Sequence, residues 1–152
     1  VRTLPIRHNS AVHPEAQALI DRLQLVPLPE EGGWFRETYR DDRLTIIYYL
    51  ITPESPSGWH RVANEEWFLW HEGDLVEQVH YDGSIKTLQL GPAQQGASPQ
   101  VHVPGGVWQA ARVLGDWALL STIVSPPFEW HQFETPDDEL RSRLKALAPE
   151  FR

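Results

Sequence analysis

Residues 58–73 read GWHRVANEEWFLWHEG, and this stretch combines a strand-forming aromatic run with side chains that can exchange protons. The imidazole of His60 and the adjacent carboxylates of Glu65 and Glu66 stand just before the run WFLW at 67–70. A run of bulky apolar residues of this kind is typical of a buried strand. The pattern therefore predicts that ionisable groups are carried into an apolar interior.

Short strands separated by turn residues extend on both sides of this stretch. One turn signal is Asp82-Gly83, a pair that favours a type I′ hairpin because both central residues need positive φ. No helical pattern interrupts the strands between about residues 34 and 125, so an antiparallel sandwich or barrel is predicted rather than parallel βαβ units. The predicted strands cover about residues 34–40, 44–51, 58–62, 66–71, 75–81, 85–90, 100–103, 107–113 and 117–124.

Two amphipathic helices flank the predicted strands. Residues 14–25 begin with Pro14, which is tolerated in the first turn of a helix, and their apolar residues recur at helical spacing. Residues 136–148 form the second predicted helix, with Thr135 as its N-cap and Pro136 at its first position. Both helices are interpreted as packing elements.

The composition limits the classes of function. The 152 residues carry a formal net charge of -8, which argues against a partner such as nucleic acid or an anionic membrane. Without cysteine, the chain has no disulfide, thiolate metal site or cysteine nucleophile. No apolar run reaches the ~18 residues that span a bilayer, and residues 1–10 lack the pattern of a signal peptide. We expect a cytoplasmic protein with a single domain over residues 1–152, its barrel at about 32–134.

Two of the predicted strands are apolar on both faces. In the runs at 46–51 and 67–70, one set of alternate side chains can fill a barrel, but the other set needs a separate cover. A second sheet, a terminal helix or another subunit could supply that cover. A two-sheet core and a homodimer interface are both compatible with the pattern, and we expect a homodimer.

Two segments resemble the sequence motifs of the cupin superfamily. Residues 58–73 are similar to the first motif, G-x5-H-x-H-x3,4-E-x6-G, and residues 104–109 are similar to the second, P-x-G-x2-H-x3-N. A family of small single-domain cupins with no assigned reaction resembles the chain more narrowly, at GGWFRETYR (32–40), WHRV (59–62), EEW (65–67) and PGGVWQAA (104–111). The resemblance covers about residues 14–134. It implies a mainly all-β fold, a cupin-type antiparallel β-barrel or jelly roll with an N-terminal and a C-terminal helix.

The resemblance also implies a site, because many cupins hold a divalent metal with three histidines and a glutamate. Here His60 and Glu66 match two of the ligand positions, whereas Gly58 and Gln109 stand where histidines are found, and Glu65 fits an alternative spacing. Two ligands rarely hold a metal, so no cofactor is expected. A divalent metal on His60 and Glu66 is the alternative. Other histidines that could complete such a site are His71, His80 and His102.

The first functional hypothesis is an enzyme that works without a metal, resembling the cupin sugar-nucleotide epimerases. His60 would remove a proton next to a carbonyl, Glu66 would orient His60, and Tyr39 or Tyr48 would return a proton. The substrate would be a sugar or a keto acid. The alternatives are a non-catalytic module that binds or senses a small molecule, and a metal-dependent dioxygenase or isomerase.

A small-molecule partner is expected in either of the metal-free cases. The residues predicted to contact it are Gln109, Glu65, Glu37, Phe68, Trp70 and Trp108. An amide side chain such as Gln109 both donates and accepts hydrogen bonds, and an aromatic wall suits a planar ring or a sugar face. Burial in the core is the alternative for each tryptophan. Alternation along the strand at 34–40 leaves open whether Glu37 and Tyr39 face the pocket, or Arg36 does.

Overall fold

Residues 12–152 are described by a computed structural model, in which strands dominate. The expectation that residues 1–10 are not a signal peptide lies outside these residues. The helices are α1 (Pro14–Leu23) and α2 (Asp138–Leu147). The strands are β1 (Val26–Pro27), β2 (Trp34–Arg40), β3 (Thr45–Ile51), β4 (Ser57–Val62), β5 (Glu65–Gly73), β6 (Val76–Tyr81), β7 (Ile85–Leu90), β8 (Gln100–Val103), β9 (Trp108–Val113), β10 (Ala118–Ser125) and β11 (Phe133–Glu134).

Two antiparallel sheets build a jelly roll. One sheet has the strand order β1-β2-β3-β10-β5-β8, and the other has the order β11-β4-β9-β6-β7. The main core lies between them and includes Tyr49, Phe68, Val76, Leu90 and Leu120, all of them buried. The sheets leave two open edges, one bordered by β1 and β11 and the other by β7 and β8.

The sequence predicted the nine longer strands with boundaries within about two residues, and the structure confirms them. Period-two alternation and turn residues are strong signals over six or more residues. The structure adds β1 and β11, which have two residues each and carry no such period. They pair with β2 and β4, so both lie at the same open edge of the barrel.

The terminal segments cover the outer faces of the sheets. Helix α1 places Ala16 and Ile20 against Trp117 and Leu119, on the outer side of the first sheet. Helix α2 and the chain end pack Leu144, Ala148 and Phe151 against Trp59 and Trp108 on the second sheet. The two helices therefore cover part of the outer faces of the strands that are apolar on both sides. The homodimer stays a prediction.

The boundaries of α2 differ from the prediction at its start. Asp137 is the N-cap, and its carboxylate accepts a hydrogen bond from the Leu140 N–H over 2.8 Å. The predicted cap, Thr135, is therefore wrong by two residues, because Asp137 supplies the oxygen that reaches the first turn. Neither α-helix in residues 12–152 is long and apolar enough to cross a membrane.

Candidate functional site

A cavity of about 460 Å³ opens at the edge between β1 and β11. Its walls are mostly apolar, and its volume lies in the range of small-molecule sites. The mouth carries the aromatic residues Phe128, Trp130 and Phe133, and the side walls include Leu28, Phe35, Ile47, Val62 and Val124. Four carboxyl groups line the same space: those of Glu31 and Glu66, and those of the exposed residues Glu37 and Glu129.

His60 lies behind this lining and is 1% exposed. Its Nδ1–H donates to the carbonyl oxygen of Gly58 over 2.7 Å, because a carbonyl can only accept. The ring stacks on Phe133 with centroids 5.3 Å apart. Its Nε2 lies 3.2 Å from Oε1 of Glu31, a distance that suits an ion pair although the direction is not that of a hydrogen bond.

Glu31 and His60 are placed to form an ion pair. With Nδ1 protonated, Nε2 of a neutral imidazole would present a lone pair to the carboxylate, and two acceptors repel each other at this distance. The ion pair forms when Nε2 also carries a proton, and it then has zero net charge, with the carboxyl of Glu31 facing the cavity.

Glu66 on β5 is another carboxyl group of the cavity and is 7% exposed. Burial raises its pKa from 4.5 to about 7, and the nearby Glu31 contributes to that increase. His60 and hydrogen bonds from Gln109 and Thr122 partly offset the increase in pKa. The Nε2 of Gln109 donates to Oε1 of Glu66 over 2.8 Å. A carboxyl group with a pKa near 7 can both accept and donate a proton at neutral pH.

Tyr49 fixes the loop that carries Glu31. Its hydroxyl donates to the carbonyl oxygen of Gly32 over 2.6 Å, and burial raises the pKa of Tyr49 well above its usual value of 10.0. Gly33 has φ of 75°, and a Cβ there would lie 2.6 Å from Cε1 of Tyr49. Ser57 adds a contact to Oε2 of Glu31 at 3.4 Å. The close approach of this loop to the barrel places the Glu31 carboxyl beside His60.

Arg40 lies at the mouth, and each of its three guanidinium nitrogens donates to a group of the chain. Its Nε and Nη2 bind Glu37, with Nη2 2.8 Å from Oε1, and its Nη1 binds Oε1 of Glu129 over 3.1 Å. Nη2 also donates to the carbonyl oxygen of Phe128 over 2.9 Å. The guanidinium thus joins β2 to the segment that carries the aromatic mouth.

The comparisons with known proteins identify the family. A family model described as Cupin superfamily (DUF985) matches residues 17–136, which is most of the chain. The chain belongs to this DUF985 cupin family. The uncharacterized protein YML079W of Saccharomyces cerevisiae is 31% identical to the chain, and the match covers 82% of the chain and 78% of that protein.

Solved structures agree with this assignment. The DUF985 cupin fold described above is similar to protein SO0799 of Shewanella oneidensis, with a TM-score of 0.77 at 28% identity over 89% of this chain and 90% of that one. It is also similar to a hypothetical protein from Leishmania major, with a TM-score of 0.74 at 31% identity over 89% of this chain and 93% of that one.

The cupin metal site does not fit the residues that this DUF985 cupin has. Gly58 offers no side chain, and the amide nitrogen of Gln109 donates to Glu66, so this amide presents a donor where a metal needs a ligand. The Nδ1–H of His60 donates to the Gly58 carbonyl oxygen, so Nδ1 has no lone pair for a metal. Within residues 12–152, no group of three or more His, Cys, Asp or Glu side chains is arranged to hold a metal. We derive no chemical step through a metal.

Three of the predicted site residues come together in this DUF985 cupin. His60, Glu66 and Gln109 form one buried cluster, because their strands bring them to the same level of the barrel. Tyr39 and Tyr48 do not join it. Tyr39 is 48% exposed and its hydroxyl donates to Asp41, while Tyr48 packs on the outer face beneath α1.

A β-bulge explains why Tyr39 lies outside. Glu37 pairs with Ile47, but Tyr39 pairs with Ile46, so Thr38 is an extra residue in β2. The extra residue reverses the side-chain alternation. Glu37 therefore lines the cavity, as one of the two predicted alternatives for this strand required. Tyr39, which that alternative also placed in the pocket, turns away, and Arg40 points to the mouth. Arg36 also contributes to the cavity lining.

The other predicted ligand-binding residues do not line the cavity. Phe68 and Trp70 belong to the main core, with the Nε1–H of Trp70 donating to the Asp74 carbonyl oxygen over 3.0 Å. Trp108 packs beneath α2, with the Arg61 guanidinium 4.6 Å from its ring centroid. Glu65 is exposed, accepts a hydrogen bond from the Gly105 N–H and lies 3.4 Å from His102. Burial in the core thus accounts for these aromatic side chains.

Sequence reasoning missed several residues of the site: Glu31, Tyr49, and the mouth residues Arg40, Phe128, Glu129, Trp130 and Phe133. Glu31 stands directly before Gly32-Gly33, where the resemblance to the small cupins begins. Its position next to this segment could have marked it as a candidate site residue. Tyr49 alternates with Ile47 and Ile51, which face the interior. A tyrosine with that parity could have been assigned to the barrel interior from the sequence.

A second cleft of about 550 Å³ lies at the opposite edge, between β7 and β8. It contains the buried His80, whose Nε2–H donates to Oε1 of Gln78 over 2.9 Å. Burial, followed by the charge of Lys86, lowers the pKa of His80 from 6.5 to about 4. His80 is therefore a neutral side chain at pH 7.

Proposed function

We propose that this cupin binds a small carbonyl compound in the cavity of the β1/β11 edge and catalyses proton transfer on it, as an epimerase or isomerase. One observation carries the proposal. Glu66 lines a mostly apolar cavity, and its pKa is raised to about 7. A carboxyl group tuned in this way has the acid–base properties that such a reaction needs at neutral pH.

In the proposed reaction, ionised Glu66 removes a proton from the carbon next to the carbonyl. The electron pair of the broken C–H bond moves into the new carbon–carbon double bond, and negative charge develops on the carbonyl oxygen. A proton from the Glu31–His60 pair neutralises that oxygen and gives an enol. For an isomer, Glu66 returns its proton to the neighbouring carbon of an enediol, and the second hydroxyl group gives its proton back to the Glu31–His60 pair. For an epimer, a solvent water protonates the carbon from the other side, the enol hydroxyl returns its proton to the pair, and Glu66 releases its proton to the resulting hydroxide.

The roles differ from those predicted by the sequence for the same residues. Glu66 lines the cavity and acts as the base, whereas His60 lies behind Glu31 and Phe133. We therefore propose that His60 positions Glu31 and supplies its proton. Gln109 holds Oε1 of Glu66 and fixes the direction of the carboxyl group. The proposed chemistry uses these side chains and, for an epimer, a solvent water, and it needs no metal.

Deuterium exchange tests this proposal without knowledge of the natural substrate. The protein would be incubated in D₂O with D-glucose, D-fructose, D-xylose, cyclohexanone and phenylacetone, and deuterium next to the carbonyl would be followed by NMR. At least one compound should exchange faster with the protein than without it. Glu66→Gln should slow that exchange by about a hundredfold or more, because the amide cannot accept the proton.

Glu139→Gln is the matched control, since Glu139 is an exposed residue of α2 far from the cavity in the fold. Its exchange rate should equal that of the wild type. The proposal is overturned if no compound exchanges faster with the wild type than with Glu66→Gln. Equal slowing by the control variant would also overturn it.

Binding without conversion is the second candidate function. The apolar walls and the aromatic mouth would suit it, because they provide contact area without chemistry. In that case a compound of the panel would bind and remain unlabelled after long incubation. Any labelled product that depends on Glu66 decides against this candidate.

A further inference from the structure

We propose that the cavity selects uncharged, ring-bearing molecules and rejects anions, because Glu37 and Glu129 cancel the charge of Arg40 at its mouth. This inference names the substrate class of the proposed proton-transfer site and rests on that assignment of the site. It narrows the substrate from sugars and keto acids in general to unphosphorylated sugars and other uncharged ring carbonyl compounds.

The guanidinium of Arg40 already donates to groups of the chain. A free guanidinium at a cavity mouth would bind a carboxylate or phosphate through two parallel N–H bonds. In Arg40, Nε, Nη1 and Nη2 all donate to groups of the chain, two of which are the carboxylates of Glu37 and Glu129. Nη2 is also engaged by the Phe128 carbonyl. An incoming anion could bind through two parallel N–H bonds only by displacing one of these carboxylates.

The other charged residues of the cavity lining are Arg36, Glu31 and Glu66. Arg36 is exposed to solvent and donates to the Leu23 carbonyl oxygen over 3.2 Å, so its charge is screened by water. Glu31 forms a pair of zero net charge with His60. The remaining group is Glu66, which is neutral or negative. Apart from Arg36, the cavity lining within residues 12–152 has no positive charge without a carboxylate partner, so an anion deep in the cavity would lose its hydration with little compensation.

The mouth of the cavity also carries aromatic rings. Phe128 and Trp130 are in edge contact with centroids 5.2 Å apart, and Trp130 and Phe133 are in edge contact with centroids 5.3 Å apart. These rings line the cavity together with aliphatic side chains. A ring or the apolar face of a sugar gains contact area there, with one polar group directed to Glu31 and Glu66.

A matched pair of ligands tests the inference directly. Benzyl alcohol and benzoate have the same ring and nearly the same size but differ in charge, and their dissociation constants would be measured at pH 7.5 by saturation-transfer NMR titration. Benzyl alcohol should bind at least about tenfold more tightly than benzoate. Trp130→Ala should weaken the binding of benzyl alcohol, which would assign binding to the mouth of this cavity.

The double variant Glu37→Gln/Glu129→Gln tests the cause. It removes both negative charges beside Arg40 and leaves only neutral amide acceptors, which an anion can displace, so benzoate should gain about tenfold in affinity while benzyl alcohol changes little. Glu139→Gln is again the control and should change neither ligand. Both replaced residues are solvent-exposed, so the variant is expected to fold.

Three results would overturn the inference: equal binding of the two ligands by the wild type, no binding of either ligand, or an unchanged ratio in the double variant. These results are separable from failure of the proposed function. Glu66→Gln should still bind benzyl alcohol although its deuterium exchange is lost. Selective binding without exchange would therefore contradict only the catalytic proposal, and exchange with equal binding of benzoate would contradict only the substrate class.

Discussion

The two open edges of the barrel each contain a buried histidine, and the charges around the two rings are opposite. His60 on β4 and His80 on β6 flank β9, and each pairs in register with Gln109. His60 faces the carboxylate of Glu31 at 3.2 Å. His80 instead lies near Lys86 and His102, with Asp82 as the acidic group that partly offsets them.

This difference shows that a buried histidine does not define a functional site in this fold. At the β1/β11 edge, the carboxyl groups of Glu31 and Glu66 line a mostly apolar cavity and His60 lies behind Glu31, so protons can be held and moved. At the β7/β8 edge, the histidine is kept neutral by burial and by neighbouring positive charge. Its partner is the neutral amide of Gln78. The first edge is suited to acid–base chemistry and the second is not.

The largest expected effect is the influence of Glu66 on stability. Its pKa is about 7 in the folded state and 4.5 in the reference state, so between these values the folded protein binds more protons than the unfolded chain. The free energy of unfolding should therefore fall as the pH rises from about 4.5 to 7, by about 3 kcal/mol from this group. Urea unfolding of the wild type and Glu66→Gln across this range measures it, and the variant should lack this fall.

His80 at the β7/β8 edge should have the opposite effect on the pH dependence of the free energy of unfolding. Its pKa is about 4 in the folded state and 6.5 in the reference state, so the unfolded chain binds more protons between these values. Its contribution to stability is present above pH 6.5 and is lost as the pH falls towards 4. His80→Gln should remove that acid loss. If His80→Gln instead behaves like Glu66→Gln, the contrast between the edges is wrong.

A smaller effect is expected on the rate when His60 is replaced. His60→Gln should slow deuterium exchange by about ten- to a hundredfold, because the group that positions and protonates Glu31 is lost. His60 also lowers the pKa of Glu66, so the pH–rate profile should move to higher pH in the variant. A merely structural role would not shift the profile. His80→Gln should leave both the rate and the profile unchanged.

The smallest effects concern the two tyrosines of β2 and β3 that differ in orientation. Tyr49→Phe leaves the partly buried Gly32 carbonyl oxygen without its hydrogen bond from Tyr49 and should cost about 1–2 kcal/mol of unfolding free energy. Tyr39→Phe removes only a surface contact to Asp41, so a change within about 0.5 kcal/mol is expected. Equal losses in thermal or urea unfolding would contradict the assignment of Tyr49, rather than Tyr39, to the interior.

Much of the fold could be predicted from the sequence because local signals and long-range packing agree. Alternation and turn pairs marked the longer strands, and the motif spacing brought His60, Glu66 and Gln109 together. The edge strands β1 and β11 were missed because two residues carry no period.

The rest of the site depended on features that a sequence pattern does not encode. The bulge at Thr38 inverts the parity of β2, which exchanges Tyr39 for Arg40 at the mouth. Glu31 reaches the cavity from a loop, whose path is set by the Tyr49–Gly32 hydrogen bond. The aromatic mouth comes from a segment distant in sequence, so the tryptophans nearest the motifs were the wrong candidates for it.

Blocking each open edge separately tests whether proton exchange takes place in the β1/β11 cavity and not in the β7/β8 cleft. Val26 at the mouth of the β1/β11 cavity and Ser84 in the β7/β8 cleft are both exposed, so tryptophan should be tolerated at either position. Deuterium exchange would be measured for Val26→Trp and Ser84→Trp with the compound that the wild type labels fastest. The account predicts strongly reduced exchange in Val26→Trp and the wild-type rate in Ser84→Trp. Loss of exchange in Ser84→Trp with full exchange in Val26→Trp would contradict it.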